Sequence, residues 1–480
     1  MSDPLRQRAA RALHTWAGLA CALVLFVVFC AGALTVFGKE LDRWGAGETR
    51  PAAQADPAAL EAAAAEIQRR HPELKGAFSL AVPGELGPDP VAYWQDPATG
   101  DWVFGSAGDL ASGRPAAARG GLGTFFNELH HEFGLGRAGA LLLGGVCLLY
   151  ALALLTGAIL HLPRGRRALS VAWKAPARRT WGDTHGALGL AALPLHGIFA
   201  VTGALFSLFL VLVATYDATV YRGQLAPRLD AILGTAAPAA SGRPGSPLPL
   251  ARLLEAASAA APGFEPRFLR FVHAGDAAAT LQILGHRPGG VAPFGQLAVA
   301  MDTGTVTDVQ VPGRRDGNHA LLSTLYGLHF GDFGGRTVQA AWFTFGVAGA
   351  LAFLAGMGVA VEARWKRRPR QAQLMARLTV GVCGGALAGL AACFPAARLG
   401  AASLGWVFWP CLLGGVLWAG LGPLRRSLRG LAWATAAGAL AIPLLSLSTH
   451  PVLAVLGAAA GALFLVLGAR LPRHARNAWA

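Results

Sequence analysis

The feature that most constrains this chain is a series of uninterrupted apolar runs, each about as long as a bilayer is thick. A helix needs about 20 apolar residues to cross the hydrocarbon core. Runs of that size occupy 12–37, 138–161, 187–214, 338–361, 375–396, 402–421, 428–447 and 451–470. Composition agrees: 54% of the 480 residues are hydrophobic and 14% are charged, where soluble domains carry about 25% charged residues. Lipid is the expected solvent, and the expected fold is a membrane all-α helical bundle of about eight transmembrane helices.

The net charge of +15 would suggest nucleic acid if it were spread over a surface. Here the Arg and Lys residues border apolar runs, where they set topology, so no nucleic-acid partner is expected. Arg6, Arg8 and Arg11 precede the first run, and Arg164, Arg166, Arg167, Lys174, Arg178 and Arg179 follow the second. Arg364, Lys366, Arg367, Arg368 and Arg370 follow the fourth, Arg425, Arg426 and Arg429 the sixth, and Arg470, Arg473 and Arg476 the last. These are alternate loops, so all lie on one side of the lipid bilayer. The expected location is the bacterial inner membrane with both termini cytoplasmic. The basic stretch MSDPLRQRAARALHTW leads into an apolar run too long for a signal peptide and reads as a retained first span. Cys21, Cys30, Cys147, Cys383, Cys393 and Cys411 all lie inside apolar runs without a C-x-x-C, which argues against a disulfide framework or zinc site.

Two long polar segments must then lie on the other, periplasmic side. Each reads as an α+β module: AALEAAAAEIQRRHPEL then YWQDPATGDWVF, and LPLARLLEAASAAAPGF then FLRFV, ATLQIL and QLAVAMDTGTVTDV. Helix followed by strands, with Asp-Thr-Gly or a relative at a hairpin, is a consistent pattern. The expected organisation is 1–39 helix 1, 40–128 module 1, 129–215 helices 2 and 3 with a basic loop, 216–327 module 2, 328–370 helix 4, and 371–480 four further helices.

A tandem repeat sharpens this division. His14-x-x-x-Gly18-Leu19 matches His185-x-x-x-Gly189-Leu190, and thirteen residues beyond each Leu stands Gly-Ala-Leu, at Gly32 and Gly203. The offset is constant at 171. LHHEFGLGR (129–137) matches LHFGDFGGR (328–336), and Gly157 and Gly356 follow at the same offset of 199. Helices 1 and 2 thus repeat as 3 and 4 in the same orientation, which implies a pseudo-twofold axis along the membrane normal.

The repeat pairs His14 with His185 at the cytoplasmic ends of helices 1 and 3, and His130 with His329 at the outer ends of helices 2 and 4. Two imidazoles facing each other across a twofold axis can supply both axial ligands of a haem iron. A glycine follows each within a few residues (Gly18, Gly189, Gly134, Gly331), where a flat macrocycle can approach. A single histidine at a membrane end is ordinarily an interfacial residue bonded to backbone or headgroup. Four at matched positions favour a shared role, because ionisable groups near lipid are expensive and usually functional. His131 is the rival of His130. His196, whose repeat position is Leu25, stands either as ligand of a relay haem or as a hydrogen-bonding residue of the bundle. His161 stands as a further candidate ligand, with snorkelling to the interface the favoured role. His71, His273, His286, His319, His450 and His474 read as ordinary surface residues. Tyr93, Trp94 and Trp102 either line a docking surface or pack a strand core. No Asp, Glu or Lys interrupts the middle of the first four runs, and neither H-E-x-x-H nor G-x-x-x-x-G-K-[ST] occurs, which argues against an ion-coupled transporter, a zinc protease and a P-loop ATPase.

ALHTWAGL with GALTVFGKELDRW, DTHGALGLAALP with VTGALFSL, and LYGLHFGDFGGRTVQAAWFTFGVAGALAFLAGMG resemble the PepSY-associated transmembrane family over about 10–370. The two outer modules resemble PepSY domains. The resemblance implies an iron-regulated inner-membrane protein akin to ferric-siderophore reductases. It further implies haem b at two sites, His14, His185, His130 and His329 as axial ligands, and a ferric siderophore as substrate. A cytoplasmic reductase or the quinone pool would be the electron donor. Two other functions stand beside that expectation: a non-enzymatic PepSY-type regulator or binding protein, and a transporter of iron or siderophore.

Overall fold

The computed structural model describes residues 4–49, 52, 54–98, 102–106, 121–446 and 450–470. Arg473, Arg476, His474 and the turn of the first predicted hairpin at 99–101 lie outside them. The chain forms two compact units: 1–49 with 120–209 and 340–480, mainly helical, and 50–119 with 210–339, which holds a β-sheet.

Among the described residues, six helices are long and apolar enough to cross a membrane. They are α1 (Pro4–Thr35), α5 (Gly136–His161), α12 (Gly335–Arg364), α13 (Pro369–Arg398), α15 (Leu424–Ser446) and α16 (Pro451–Arg470), with the shorter α2 (Gly38–Gly45), α3 (Pro57–Arg70) and α4 (Leu122–Glu132) between the first two. This differs from the expected eight in two places. The third apolar run is broken into α6 (Ala177–Ala191) and α7 (Leu193–Ser207), bent by 72°. Pro194 is the cause: it has no N–H to continue the ladder and disfavours helical backbone before it. The sixth run forms α14 (Gly405–Leu421). Its 17 residues rise about 26 Å, short of a core about 30 Å thick.

The helical unit packs through small residues and aromatics. Gly381 and Gly385 of α13 meet Gly415 and Val416 of α14 so closely that an added Cβ at Gly381 would lie 2.7 Å from the Val416 Cα, the close backbone approach that drives helix association in lipid. The Trp44 indole at the end of α2 donates to Ser446 Oγ at 2.8 Å. Asp42 on α2 accepts the amides of Gly123 and Thr124 at 2.6 and 3.0 Å, and the Thr124 hydroxyl at 3.0 Å. These are orphan N–H groups in the first turn of α4, so Asp42 fixes the helix that carries His130.

In the other unit, strands β1 (Phe78–Ala81), β2 (Val91–Gln95), β3 (Trp102–Ser106), β4 (Glu265–Val272), β5 (Thr280–His286), β6 (Phe294–Ala300) and β7 (Val306–Gln310) make one antiparallel sheet in the order β3-β2-β1-β4-β5-β6-β7. The sequence suggested two modules; the structure fuses them by pairing β1 with β4, Phe78 opposite Phe271 and Leu80 opposite Leu269. Each short sheet would otherwise end in an unpaired edge, and β1 is buried along its whole length. Leu60 and Ile67 of α3, with Leu250 and Leu253 of α10 (Leu250–Ala260), join Leu80, Leu269, Leu281, Ile283 and Val299 in one core. In chain order, α8 (Phe209–Tyr216) and α9 (Ala226–Leu233) precede α10, and α11 (Gly317–Phe330) follows β7.

Two histidines read as surface residues are not. His319 is 5% exposed; its Nδ1 bonds Asp316 and its Nε2 the Gly234 carbonyl, at 2.8 and 2.7 Å. His286 lies beside Arg267 and Glu265, and burial, then the Arg267 charge, lowers its pKa. The partners Gly234 and Arg267 come from other segments of the chain, which local sequence pattern does not reveal.

Candidate histidine sites

His14 and His185 meet. Their ring centres lie 5.8 Å apart with the planes at 57°. Two imidazoles bonded to one metal at about 2.0–2.1 Å each would put their centres about 6 Å apart. Each ring is held from behind. The Nδ1–H of His14 donates to the Ala153 carbonyl at 2.9 Å, and that of His185 to the Ala352 carbonyl at 2.8 Å. A backbone carbonyl on Nδ1 fixes the tautomer and turns Nε2 into the ligating nitrogen. Neither Nε2 carries a hydrogen bond among the described residues.

The two seats are built alike. One turn beyond each carbonyl stands a glycine beneath the ring: a Cβ at Gly157 would lie 3.1 Å from His14 Cε1, and one at Gly356 3.2 Å from His185 Cε1. Ala153 and Ala352 are themselves 199 residues apart, like the two glycines. One turn along from each histidine, Gly18 and Gly189 have open space where a Cβ would stand. The pair therefore fits a flat macrocycle: two Nε2 atoms without a hydrogen bond among the described residues, a fixed tautomer on each ring, and helix faces bare of side chains at Gly18 and Gly189. Among the described residues no three His, Cys, Asp or Glu side chains cluster as ligands. A metal held by two imidazoles would draw its remaining donors from the cofactor itself.

His130 sits in a third seat of the same design. Its Nδ1–H donates to the Val28 carbonyl at 2.9 Å, and the ring lies over Gly32, one turn on, where a Cβ would meet it at 2.5 Å. His131 turns the other way, half exposed beside Glu132, with Nδ1 on the Asn127 carbonyl. His329 ends α11 in the sheet unit. Tyr326 stacks on Phe330 at 5.6 Å, Gly331 closes the helix at φ 67°, and the next residue, Asp332, accepts from Arg267 at 2.9 Å. So the structure brings His14 and His185 together, while His130 and His329 belong to different units.

His196 is 2% exposed, with Nε2 on the Phe345 carbonyl at 3.1 Å and the Phe29 ring at 5.4 Å. His161 does not simply reach outward; its ring packs on Gly186, where a Cβ would lie 3.2 Å away. The sequence reading missed the carbonyl seats and the aromatic residues around His196. Only the matched glycines Gly157 and Gly356 hinted at the seats.

In the sheet unit a cleft of about 510 Å³ is lined by Gln68, His71, Lys75, Arg243 and Asp276 among others. Asp276 accepts from Ala278, Ser241 and Gly242, and those bonds, the Ala278 amide first, hold its carboxyl well below the usual carboxylate range. Of the aromatics weighed for docking, Trp94 is buried in the core and Trp102 is 60% exposed, while Tyr93 stacks on Phe104 at 5.8 Å.

A family model described as the PepSY-associated TM region matches residues 11–361. An uncharacterized protein of Pseudomonas aeruginosa, PA4219, is 29% identical over 326 residues, covering 64% of this chain and 82% of that protein.

Proposed function

The chain belongs to the PepSY-associated transmembrane family, and from that premise we propose that it carries electrons across the bacterial inner membrane to a ferric siderophore in the periplasm. The observation that carries this reading is the His14–His185 pair, two imidazoles at metal-sharing distance on seats of matched construction. His14 and His185 would hold one haem b near the cytoplasmic face, and His130 would be a ligand of a second near the periplasmic face. Bound there, haem supplies a one-electron couple that side chains of this composition lack.

The chain's own part is to position and to dock. The carbonyls of Ala153, Ala352 and Val28 orient the rings, and the glycines beneath them let the helices close. The basic loops carry the cytoplasmic donor side, a reductase or the quinone pool. The sheet unit's cleft offers Lys75 and Arg243 to the anionic rim of a ferric chelate. Reduction frees iron because hard oxygen donors favour Fe(III) over Fe(II).

The test is the absorbance spectrum and haem stoichiometry of the purified protein. The expected result is a Soret band, split α/β bands after dithionite and two haems per chain. Release of Fe(II) outside proteoliposomes, trapped by ferrozine, is expected with a ferric hydroxamate or catecholate. Protein without haem would overturn the reading, and uptake of intact chelate would replace it with transport.

A further inference from the structure

The seats of His185 and His130 are joined by aromatic rings. The carbonyl that holds His185 belongs to Ala352, and the next residue is Phe353. The carbonyl that holds His130 belongs to Val28, and the next residue is Phe29. The rings of Phe29 and Phe353 touch edge to face, centres 5.2 Å apart. Tyr150 packs against both, at 5.7 and 5.4 Å. From one histidine to the other there are two N–H···O hydrogen bonds, short stretches of covalent chain and one ring contact.

This centre breaks the repeat. At the offsets of 171 and 199, Phe29 corresponds to Ala200, Phe353 to Leu154, and Tyr150 to Gly349. The exchange at the last pair makes the cluster possible, because any Cβ at Gly349 would collide with the Phe29 ring. Of two routes that the repeat would make equivalent, one is lined by aromatic rings and the other by small or aliphatic side chains. Core packing alone gives no reason for that asymmetry, since the His14 and His185 seats keep the matched design.

We infer that Phe353 and Phe29, buttressed by Tyr150, are the electron bridge between the two histidine sites. The inference rests on the haem reading above. An electron passing from a group held by His14 and His185 to one held by His130 would cross these rings; no bond would form or break, and the rings would end unchanged. The rings raise electronic coupling over a distance that α1 alone marks as about 21 Å, the rise from His14 to Val28. They are not stopping points. Among the described residues the buried Tyr150 hydroxyl has no hydrogen-bond partner, so no described group stands ready to take its proton on oxidation.

The experiment uses full-length protein in proteoliposomes loaded with dithionite, with ferricyanide outside as acceptor. Haem content and midpoint potentials are measured on the same samples. Phe29→Leu/Phe353→Leu is expected to keep wild-type haem content and potentials and to lose most of the transmembrane electron flux, while Phe353→Tyr and Tyr150→Phe keep it. A double variant with full haem, unchanged potentials and wild-type flux overturns the bridge but leaves the haem reading intact. Wild-type protein without haem overturns both. If the double variant loses haem, Phe353→Leu alone decides: with haem retained, lost flux supports the bridge and wild-type flux rejects it. Loss of haem there too assigns these rings to packing and rejects the bridge.

Discussion

The histidine seats and the aromatic centre of the helical unit treat the repeat in opposite ways. At the His14–His185 end, each element on one side has its counterpart on the other: ring, carbonyl one segment away, glycine one turn on. At the centre, Phe29, Tyr150, Phe353 and His196 face the repeat positions Ala200, Gly349, Leu154 and Leu25. Matched geometry suits a ligand that is itself nearly twofold and must be gripped from both faces. Unmatched geometry suits a single route between two sites. On the reading proposed above, the matched seats would hold the ligand and the unmatched rings would carry the route between the two sites.

Substitutions at the seats are the strongest way to break this comparison. His14→Ala and His185→Ala should each remove one whole haem equivalent, read as pyridine haemochrome per chain, and His130→Ala or His329→Ala should remove the other. Full haem in all four variants would dissolve the pairing. Next in size, Gly157→Leu and Gly356→Leu push a side chain into the ring above and should lower haem occupancy alike; a loss at only one of them would show that the seats are not equivalent. At the centre, Gly349→Ala forces a methyl against Phe29 and should cost about 1–3 kcal/mol, measured by thermal unfolding in detergent. His196→Leu restores the residue found at its repeat position and removes the bond to Phe345, a loss of about 1 kcal/mol. Unchanged haem content is expected there, and a drop would make His196 a ligand.

The smallest effect belongs to the sheet unit. Asp276 has a folded-state pKa below its unfolded value, so the stability it contributes is complete above about pH 4. It shrinks as pH falls below that and is gone once pH passes the folded value. Proteolysis of the 241–245 segment should therefore rise on acidification, and Asp276→Asn should flatten that dependence.

Much of this was legible early because it rests on local pattern. Apolar runs, basic loops and the constant offsets named His14, His185, His130 and His329, and singled out His130 beside His131. The bend in the third run was also writable in advance, since Pro194 stands in it. The seats were not legible. A carbonyl carries no sequence signature, and Ala153 is marked only by lying where the His14 ring comes to rest, 139 residues away in the chain. His319 and His286 failed as surface residues for the same reason, their partners Gly234 and Arg267 being supplied by other segments.

The sequence by itself determined that this is a membrane protein, because a bilayer forces about 20 apolar residues to satisfy their backbone within one helix. That requirement is local and leaves a visible run. Only the tertiary structure decided that the two polar segments share one sheet, that two of the four histidines meet at 5.8 Å, and that Phe29 touches Phe353 between the seats of His185 and His130. Those are contacts between residues far apart in the chain, fixed by how helices and strands pack, and no residue type announces in advance which neighbour it will meet.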